Sequence, residues 1–413
     1  LFKSKIKNGV TNDFLYENWE EIFNLLIKLH PVNLFISRNS QKSLENFTNT
    51  YRFPNRDFLT HDIQNSETTV EFDNFFNESM NYLKNEYQIA HKEIYQKKGR
   101  NIQFMQSNFQ QRITSSFWSA RKTIQERKKN IDNQLNMFEK IYSLEGDSLA
   151  NLESEKYMSM YVANEIDYLS IDFTTINLDK IIEFLKQERS ALQHLMGLAQ
   201  NVIEFTPEGV NSDPKINKLL EVLGSLNLNE SSVLIFSQYT STLDEVTKAV
   251  VDEYKQDNKL GSNFGYASFR GDIKTIKIKG SQLEKNSNKR EITYALNNDY
   301  LNIVFCSSAA GEGLNLQKAD ILINVDVPWI PAELEQRIGR IARLGQKKDS
   351  VQIHNIWYPD SIESKIYKKL IERQKGSKLA LGDFSEMVSE TIDANFTDFD
   401  DEIINHLIKK INK

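Results

Sequence analysis

From Ser232 to Trp357 the chain alternates between two hydrophobic periods, and few architectures satisfy both. Ser232-Val-Leu-Ile-Phe-Ser237 is a short unbroken apolar run, the pattern of a strand buried on both faces, and Leu243, Val246, Ala249 and Val250 then recur at helical spacing. Further strands are predicted over Phe264–Phe269, Asn302–Cys306, Asp320–Val325 and Val351–Trp357, with helices at about 287–298, 331–343 and 361–374. Strands that alternate with helices imply an α/β fold, a parallel sheet sandwiched by helices. In such sheets the working residues sit in the loops at the C-terminal ends of the strands.

The remainder has a different texture. A chain of 413 residues is long enough for two or three units with cores of their own. Between Thr68 and Val202 it is almost free of Pro and Gly and rich in Glu, Lys, Gln, Asn and Leu, which predicts a mostly α-helical domain. Thr206-Pro-Glu-Gly-Val-Asn-Ser-Asp-Pro214 gathers turn formers and reads as the linker to the α/β unit. Trp19, Ile22, Phe23, Leu26 and Leu29 form a helical stripe stopped by Pro31. The expected division is therefore 1–65, 66–212, 213–375 and 376–413, the last a helical C-terminal segment. The chain opens on Leu1 without the apolar core of a signal peptide, which reads as a start inside a longer protein.

Composition removes several functional classes. No apolar run is long enough to cross a bilayer, so no membrane partner is expected. The single cysteine, Cys306, excludes a disulfide, suits a reducing, cytoplasmic setting and is expected to be a small buried hydrophobe. The six histidines never fall at ligand spacing, so no metal site is expected. With a net charge of −6, contact with nucleic acid would have to use local basic stripes, and residues 121–129 and 274–290 are two of them. Each has the alternative of a solvated face, and Trp118 with Arg121, Lys122 and Arg127 reads equally as a nucleic-acid contact or a helix-packing surface. High Asn, Lys and Ile usage suits an AT-rich bacterial genome.

The segment richest in chemistry is Gln336-Arg-Ile-Gly-Arg-Ile-Ala-Arg-Leu-Gly-Gln346. A helix that presents Arg340 and Arg343 three residues apart puts two guanidinium groups on one face, where they can converge on a phosphate chain, and Gly339 keeps the surface beside them low. This segment resembles motif VI of helicase superfamily two, and its Leu344-Gly345-Gln346 is similar to the Swi/Snf-type branch, above all its RapA-like members. Neighbouring segments agree in family order. Val233-Leu-Ile-Phe-Ser-Gln-Tyr239 resembles motif IV, Ser307-Ser-Ala-Ala-Gly-Glu-Gly-Leu-Asn-Leu316 resembles motif V, and Asp326-Val-Pro-Trp-Ile-Pro331 resembles the branch's Asp-x-Pro-Trp-Asn-Pro element with Ile330 in place of Asn. Tyr266-Ala-Ser-Phe-Arg-Gly271 and, after a longer insertion than usual, Lys289-Arg290-Glu291 fit the strand and helix between them. Gln111-Arg-Ile-Thr-Ser-Ser116 is similar to a signature between the two lobes of RapA-like proteins, and Asp213-Pro-Lys-Ile-Asn-Lys-Leu-Leu220 to their entry into lobe two. Gly9-Val-Thr-Asn-Asp13 through His30-Pro31 resembles the end of lobe one.

The resemblance implies that 213–375 is a RecA-like second lobe and 1–65 the end of the first. It further implies that Arg340 and Arg343 reach the γ-phosphate of ATP across the cleft, that Gln336 helps order the attacking water, and that Gly311 and Gly313 let backbone approach the nucleotide or the phosphodiester closely. Ser237, Gln238, Ser307 and Ser308 would lie along the nucleic-acid backbone, with strand-end capping as the alternative for the serines. No Gly-x-x-x-x-Gly-Lys-Ser/Thr loop and no strand ending in Asp-Glu-x-His occurs in the sequence. ATP and Mg²⁺ are therefore expected mainly on an upstream lobe one of the same protein, and this chain alone is expected to be inactive. The implied activity is ATP-driven movement on double-stranded DNA, with the helical domain open to a protein partner. Two alternatives stand beside it: a non-catalytic binding scaffold that keeps the fold, and an RNA helicase of the same superfamily.

Overall fold

In the computed structural model, residues 53–87, 100–143, 178–256, 259–270, 273–307, 316–328, 331–343, 345–359, 361 and 363–364 are described. The expectations for the end of lobe one before residue 53, for the helix beyond residue 364 and for the C-terminal segment 376–413 lie outside them. Among the described residues, the apolar runs and three more polar segments form one eight-stranded sheet in the order β1-β8-β7-β2-β6-β3-β4-β5. Its strands are β1 (Asn55–Asp62), β2 (Val233–Ser237), β3 (Tyr266–Arg270), β4 (Ile273–Lys277), β5 (Lys285–Asn286), β6 (Ile303–Ser307), β7 (Ile321–Asn324) and β8 (Ser350–Trp357). Pairing is parallel from β1 through β3 and antiparallel for β3–β4 and β4–β5.

Helices cover both faces, as the unbroken apolar strands require. Alternate side chains of β2 point to opposite sides: Val233 and Ile235 join one core and Leu234 and Phe236 the other. The first core is closed by α5 (Pro214–Gly224) and α6 (Thr240–Tyr254), through residues such as Leu219 and Val246. The second is closed by α7 (Lys289–Asn297) and α8 (Pro331–Ile338), through Ile292, Leu296, Leu334 and Ile338. The mostly helical region comprises α1 (Val70–Lys84), α2 (Arg100–Ser115), α3 (Phe117–Ser143) and α4 (Leu178–Phe205). Its apolar stripes run into the first core without a break, and Phe72 and Phe76 pack on Tyr358 just past β8 at ring separations of 5.8 and 4.9 Å.

One expectation is corrected. Residues 55–62, assigned to the end of a preceding lobe, add a parallel strand beside β8 at the edge of the α/β sheet. Arg56 of β1 also grips the Glu335 carboxylate of α8 at 3.0 and 3.1 Å, and His61 meets His354 at 2.9 Å between ring nitrogens. The stretch 206–214 runs from α4 to α5, exposed over 207–210 and buried at Asp213 and Pro214. The basic run 274–290 carries β4, β5 and the start of α7 and is mostly exposed beyond 279, with Lys277 buried and donating to the Phe264 carbonyl at 2.6 Å.

One glycine is dictated by backbone crowding. A Cβ at Gly265 would lie 2.1 Å from the Tyr300 carbonyl oxygen and 2.9 Å from the Lys279 nitrogen, and neither can move without disrupting the sheet entry. Gly265→Ala is expected to destabilise the fold by about 3 kcal/mol, the upper end of overpacking costs. Gly197→Ala, on α4 with nothing within 4 Å of its added Cβ, should stabilise by roughly 0.5–1 kcal/mol through the lost backbone freedom of glycine. Urea unfolding of the two variants beside the parent checks both signs.

Candidate active site at the strand ends

Strands β7, β2 and β6 are neighbours, and the connection from β6 to β7 crosses over β2. Their C-terminal ends therefore gather Ser237 and Gln238, Ser307, and Asp326 at one end of the sheet, the end at which open α/β sheets bind ligands. A carboxylate as buried as Asp326 must have its oxygens satisfied. The Ser237 hydroxyl donates to Oδ2 at 2.6 Å, the Gln238 backbone N–H to Oδ1 at 2.8 Å and the Ser115 hydroxyl to Oδ2 at 2.8 Å, while the Arg337 guanidinium stands 3.5 Å from Oδ1. Ser237 is thus an internal ligand of Asp326 and not a surface contact for a phosphate backbone. Its hydroxyl is fully buried because a strand end surrounded by apolar chains leaves it no water. Ser307 is buried as well, whereas the Gln238 side chain is exposed. Ser308, Gly311, Gly313, Trp329 and Ile330 lie outside the described residues.

The arginine segment departs from its expected geometry. The helix predicted over 331–343 stops at Ile338, and the chain tightens: Arg340 N–H donates to the Arg337 carbonyl at 3.0 Å and Ile341 N–H to that of Ile338 at 3.0 Å. Gly339 permits this tightening, since a Cβ there would sit 3.1 Å from the Glu335 oxygen. Arg340 and Arg343 consequently follow the helix on successive turns, each with its Nε donating to the carbonyl four residues back, Gln336 at 3.2 Å and Gly339 at 2.6 Å. Arg340 is buried, Arg343 half-buried and Gln336 exposed. Gly345 then turns with φ +93°, a conformation glycine adopts freely. The turn delivers the Gln346 amide to the carbonyls of Gln317, Ala319 and Ile341 at 2.8, 3.0 and 3.0 Å, which pins the segment to the entrance of β7.

A third arginine was passed over at the level of sequence. Arg337 is buried, donates to Asn324 Oδ1 at 2.9 Å and to the Asp326 carbonyl at 2.8 Å, and covers the Phe236 ring at 5.4 Å. It fixes α8 to the ends of β7 and β2, so the arginine that looks like filler in the motif is the anchor for the two that do not.

Residues 214–345 match the helicase conserved C-terminal domain family. Over 207 residues, half of this chain, the sequence is 28% identical to an uncharacterized ATP-dependent helicase, YqhH, of Bacillus subtilis, covering 33% of that protein. It is 30% identical over 146 residues to the RNA polymerase-associated protein RapA of Photobacterium profundum (35% of this chain, 13% of RapA), and 27% identical over 168 residues to the chromatin-remodeling ATPase INO80 of Candida albicans (41% of this chain, 11% of that protein). This portion of the chain is similar to the C-terminal helicase domain of Swi/Snf-type proteins. The chain spans a third or less of the length of these relatives.

Docking of the helical region onto the helicase lobe gives a physical account of the two weaker signatures. Each polar residue of Gln111-Arg-Ile-Thr-Ser-Ser116 meets the lobe. Gln111 accepts from the Tyr239 hydroxyl at 3.1 Å, and Arg112 stands 5.8 Å over the same ring. The Thr114 hydroxyl reaches Glu363 at 3.5 Å, and Ser115 and Ser116 each lie 2.8 Å from the Thr242 hydroxyl. Asp213, from the second signature, accepts from the first N–H of α3 at Phe117 (2.8 Å) and from Lys215 N–H of α5 (2.9 Å), so one carboxylate caps two helices. Burial nevertheless pushes its carboxyl up to about 6, with the Lys215 and Phe117 contacts opposing. Arg127 is no nucleic-acid contact: it is buried on α3 and makes a two-pronged ion pair with Glu188 of α4 at 2.8 and 3.1 Å. Trp357 is wholly buried in the second core, and the buried Cys306 thiol, pushed up to about 12, has no nucleophilic character.

Proposed function

We propose that this chain supplies the arginine-bearing half of the ATPase in a motor that moves on double-stranded DNA. The observation that carries this reading is the mounting of Arg340 and Arg343. Both sit on a tightened turn that follows α8, are restrained through Nε, and are braced below by Arg337 and behind by Gln346. Restrained guanidinium groups suit the stabilisation of charge on a transferring phosphoryl group, because they need little reorganisation when that charge develops. The ATP and Mg²⁺ of such a motor would be held mainly by an upstream lobe, and the chemistry brought from this side is positive charge at the γ-phosphate. The relatives' printed names, an ATP-dependent helicase, RapA and a chromatin-remodeling ATPase, support the ATP-driven part of the reading. Gln238, exposed at the strand ends, and the segment 308–315 are the proposed contacts to the nucleic-acid backbone.

The test is duplex-stimulated ATP hydrolysis by the full-length protein together with the salt dependence of duplex binding. Contact to about four phosphates should weaken binding roughly a hundredfold between 50 and 200 mM salt, with little preference among sequences. A sequence-specific interaction that ignores salt, or ATP turnover indifferent to duplex DNA and raised by RNA, would point instead to a binding scaffold or an RNA motor.

A further inference from the structure

Three hydroxyls and one carboxylate join the helical region to the helicase lobe, and their donor directions can be worked out. The Asp326 carboxylate only accepts, so the Ser115 hydroxyl spends its single proton there, at 2.8 Å. The 2.8 Å contact between Ser115 and Thr242 must then be donated by Thr242, and the 2.8 Å contact between Thr242 and Ser116 by Ser116. Ser116 Oγ in turn accepts the Ser119 N–H at 3.0 Å, the capping bond that starts α3 where α2 ends. All four side chains are buried, so water cannot substitute for a missing member. The α2–α3 break and Asp326 thus belong to one hydrogen-bonded chain whose polarity the carboxylate sets.

At its other end Asp326 reaches the arginines. Its main-chain carbonyl accepts from Arg337 at 2.8 Å, its side chain faces the same guanidinium at 3.5 Å, and the Arg337 carbonyl receives the Arg340 N–H at 3.0 Å. Its Oδ1 also takes the Gln238 N–H at 2.8 Å. A change in how the α2–α3 break seats on the lobe therefore alters the side chain that holds motif IV and the base of the arginine turn together.

We propose that Asp326 is a positioning residue, and that the Ser116–Thr242–Ser115 hydroxyl chain makes the placement of the arginine turn depend on the seating of the helical region. The inference rests on the ATPase reading above. It assigns the helical region a part in setting turnover, distinct from any binding of its own. Coupling of this kind requires an energetic test, because adjacency alone does not establish it.

In the full-length protein at saturating duplex, Ser115→Ala is expected to lower kcat for ATP hydrolysis about tenfold, with the KM for ATP and the duplex Kd near those of the parent; the Thr242 hydroxyl left without its acceptor lowers the melting temperature, but the protein stays folded at the assay temperature. Thr242→Val should act in the same direction, and Thr242→Ser, which keeps the hydroxyl, should restore the parental rate. On an Asp326→Asn background Ser115→Ala should add nothing, the non-additivity of one shared path. A kcat within twofold of the parent for Ser115→Ala, in a protein that Arg343→Ala inactivates, overturns the coupling and leaves the ATPase reading intact. Additive effects of Ser115→Ala and Asp326→Asn, or a rate loss matched by loss of folded protein, overturn it equally. Parental turnover in Arg343→Ala removes the ATPase reading and the coupling with it.

Discussion

Arg343→Ala in the full-length protein is expected to lower duplex-stimulated ATP turnover on the order of 10³-fold while leaving the fold and duplex affinity near those of the parent. Arg343 is half-buried on a turn, and its one main-chain contact, Nε to the Gly339 carbonyl at 2.6 Å, orients the side chain without supporting the core. Its removal should therefore be felt in the transition state and hardly elsewhere. Arg340 differs. Its side chain is buried, so Arg340→Ala should cost turnover to a similar degree and lower the melting temperature as well. Lysine at either position should rescue poorly, because a point charge lacks the planar fork and the Nε–H that fixes its plane. Were the pair only a solvated basic surface, alanine at Arg343 would change stability by a few tenths of a kcal/mol and leave turnover intact. Steady-state rates at saturating duplex, taken beside thermal melts of the same variants, separate the two accounts.

What the sequence disclosed follows the strength of its hydrophobic signal. β2, β6, β7 and β8 are legible because each is an apolar run inside the sheet, buried on both faces or nearly so. β1 is not, since among the described residues Asn55-Arg-Asp-Phe-Leu-Thr-His-Asp62 is the edge strand of the sheet, and of its side chains only Phe58 packs against a core. β4 and β5 escape for the same reason at the opposite edge, where Lys274, Lys277 and Lys285 mask a short hairpin. The shortened α8 reflects the backbone at Gly339, which helical spacing of Leu334, Ile338 and Ile341 does not register.

At the site, motif spacing marked Arg340, Arg343 and Gln336; the two arginines fall on the turn after α8, and Gln336 is exposed on α8 itself. Spacing did not mark Arg337 or give Asp326 a role. A signal was present: Ser115, Ser116, Ser237 and Asp326 are polar residues set among apolar ones, and buried polar groups need partners. Which of them pair across 89 to 211 residues of chain is a fact of tertiary structure, and spacing carries no information about it.

The same logic of buried partners leads to the largest expected change in stability. The Lys215 ammonium is wholly buried, donates to the Val325 carbonyl at 2.9 Å and to Glu363 at 3.2 Å, and lies 5.3 Å over the Tyr358 ring. Burial pushes the Glu363 carboxyl up to about 7, with Lys215 acting against the rise. A folded-state value above the ordinary 4.5 means that the native protein holds this proton more tightly than the unfolded chain. On this group's account stability therefore falls as pH rises from about 4.5 to about 7 and is level above it. Lys215→Met removes the opposing charge. It should cost about 3–5 kcal/mol near neutral pH, the usual consequence of orphaning one partner of a buried pair, and should carry the decline in stability to higher pH. Adding Glu363→Gln removes the charge left behind, so the double variant should recover much of the loss and show no slope from this group between pH 5 and 8.5. Denaturant unfolding at several pH values isolates Glu363 in the difference between Lys215→Met and the double variant, since both lack the Lys215 charge that also acts on Asp213. A Lys215→Met protein as stable as the parent across that range would mean that the pair contributes no more than the apolar packing that replaces it.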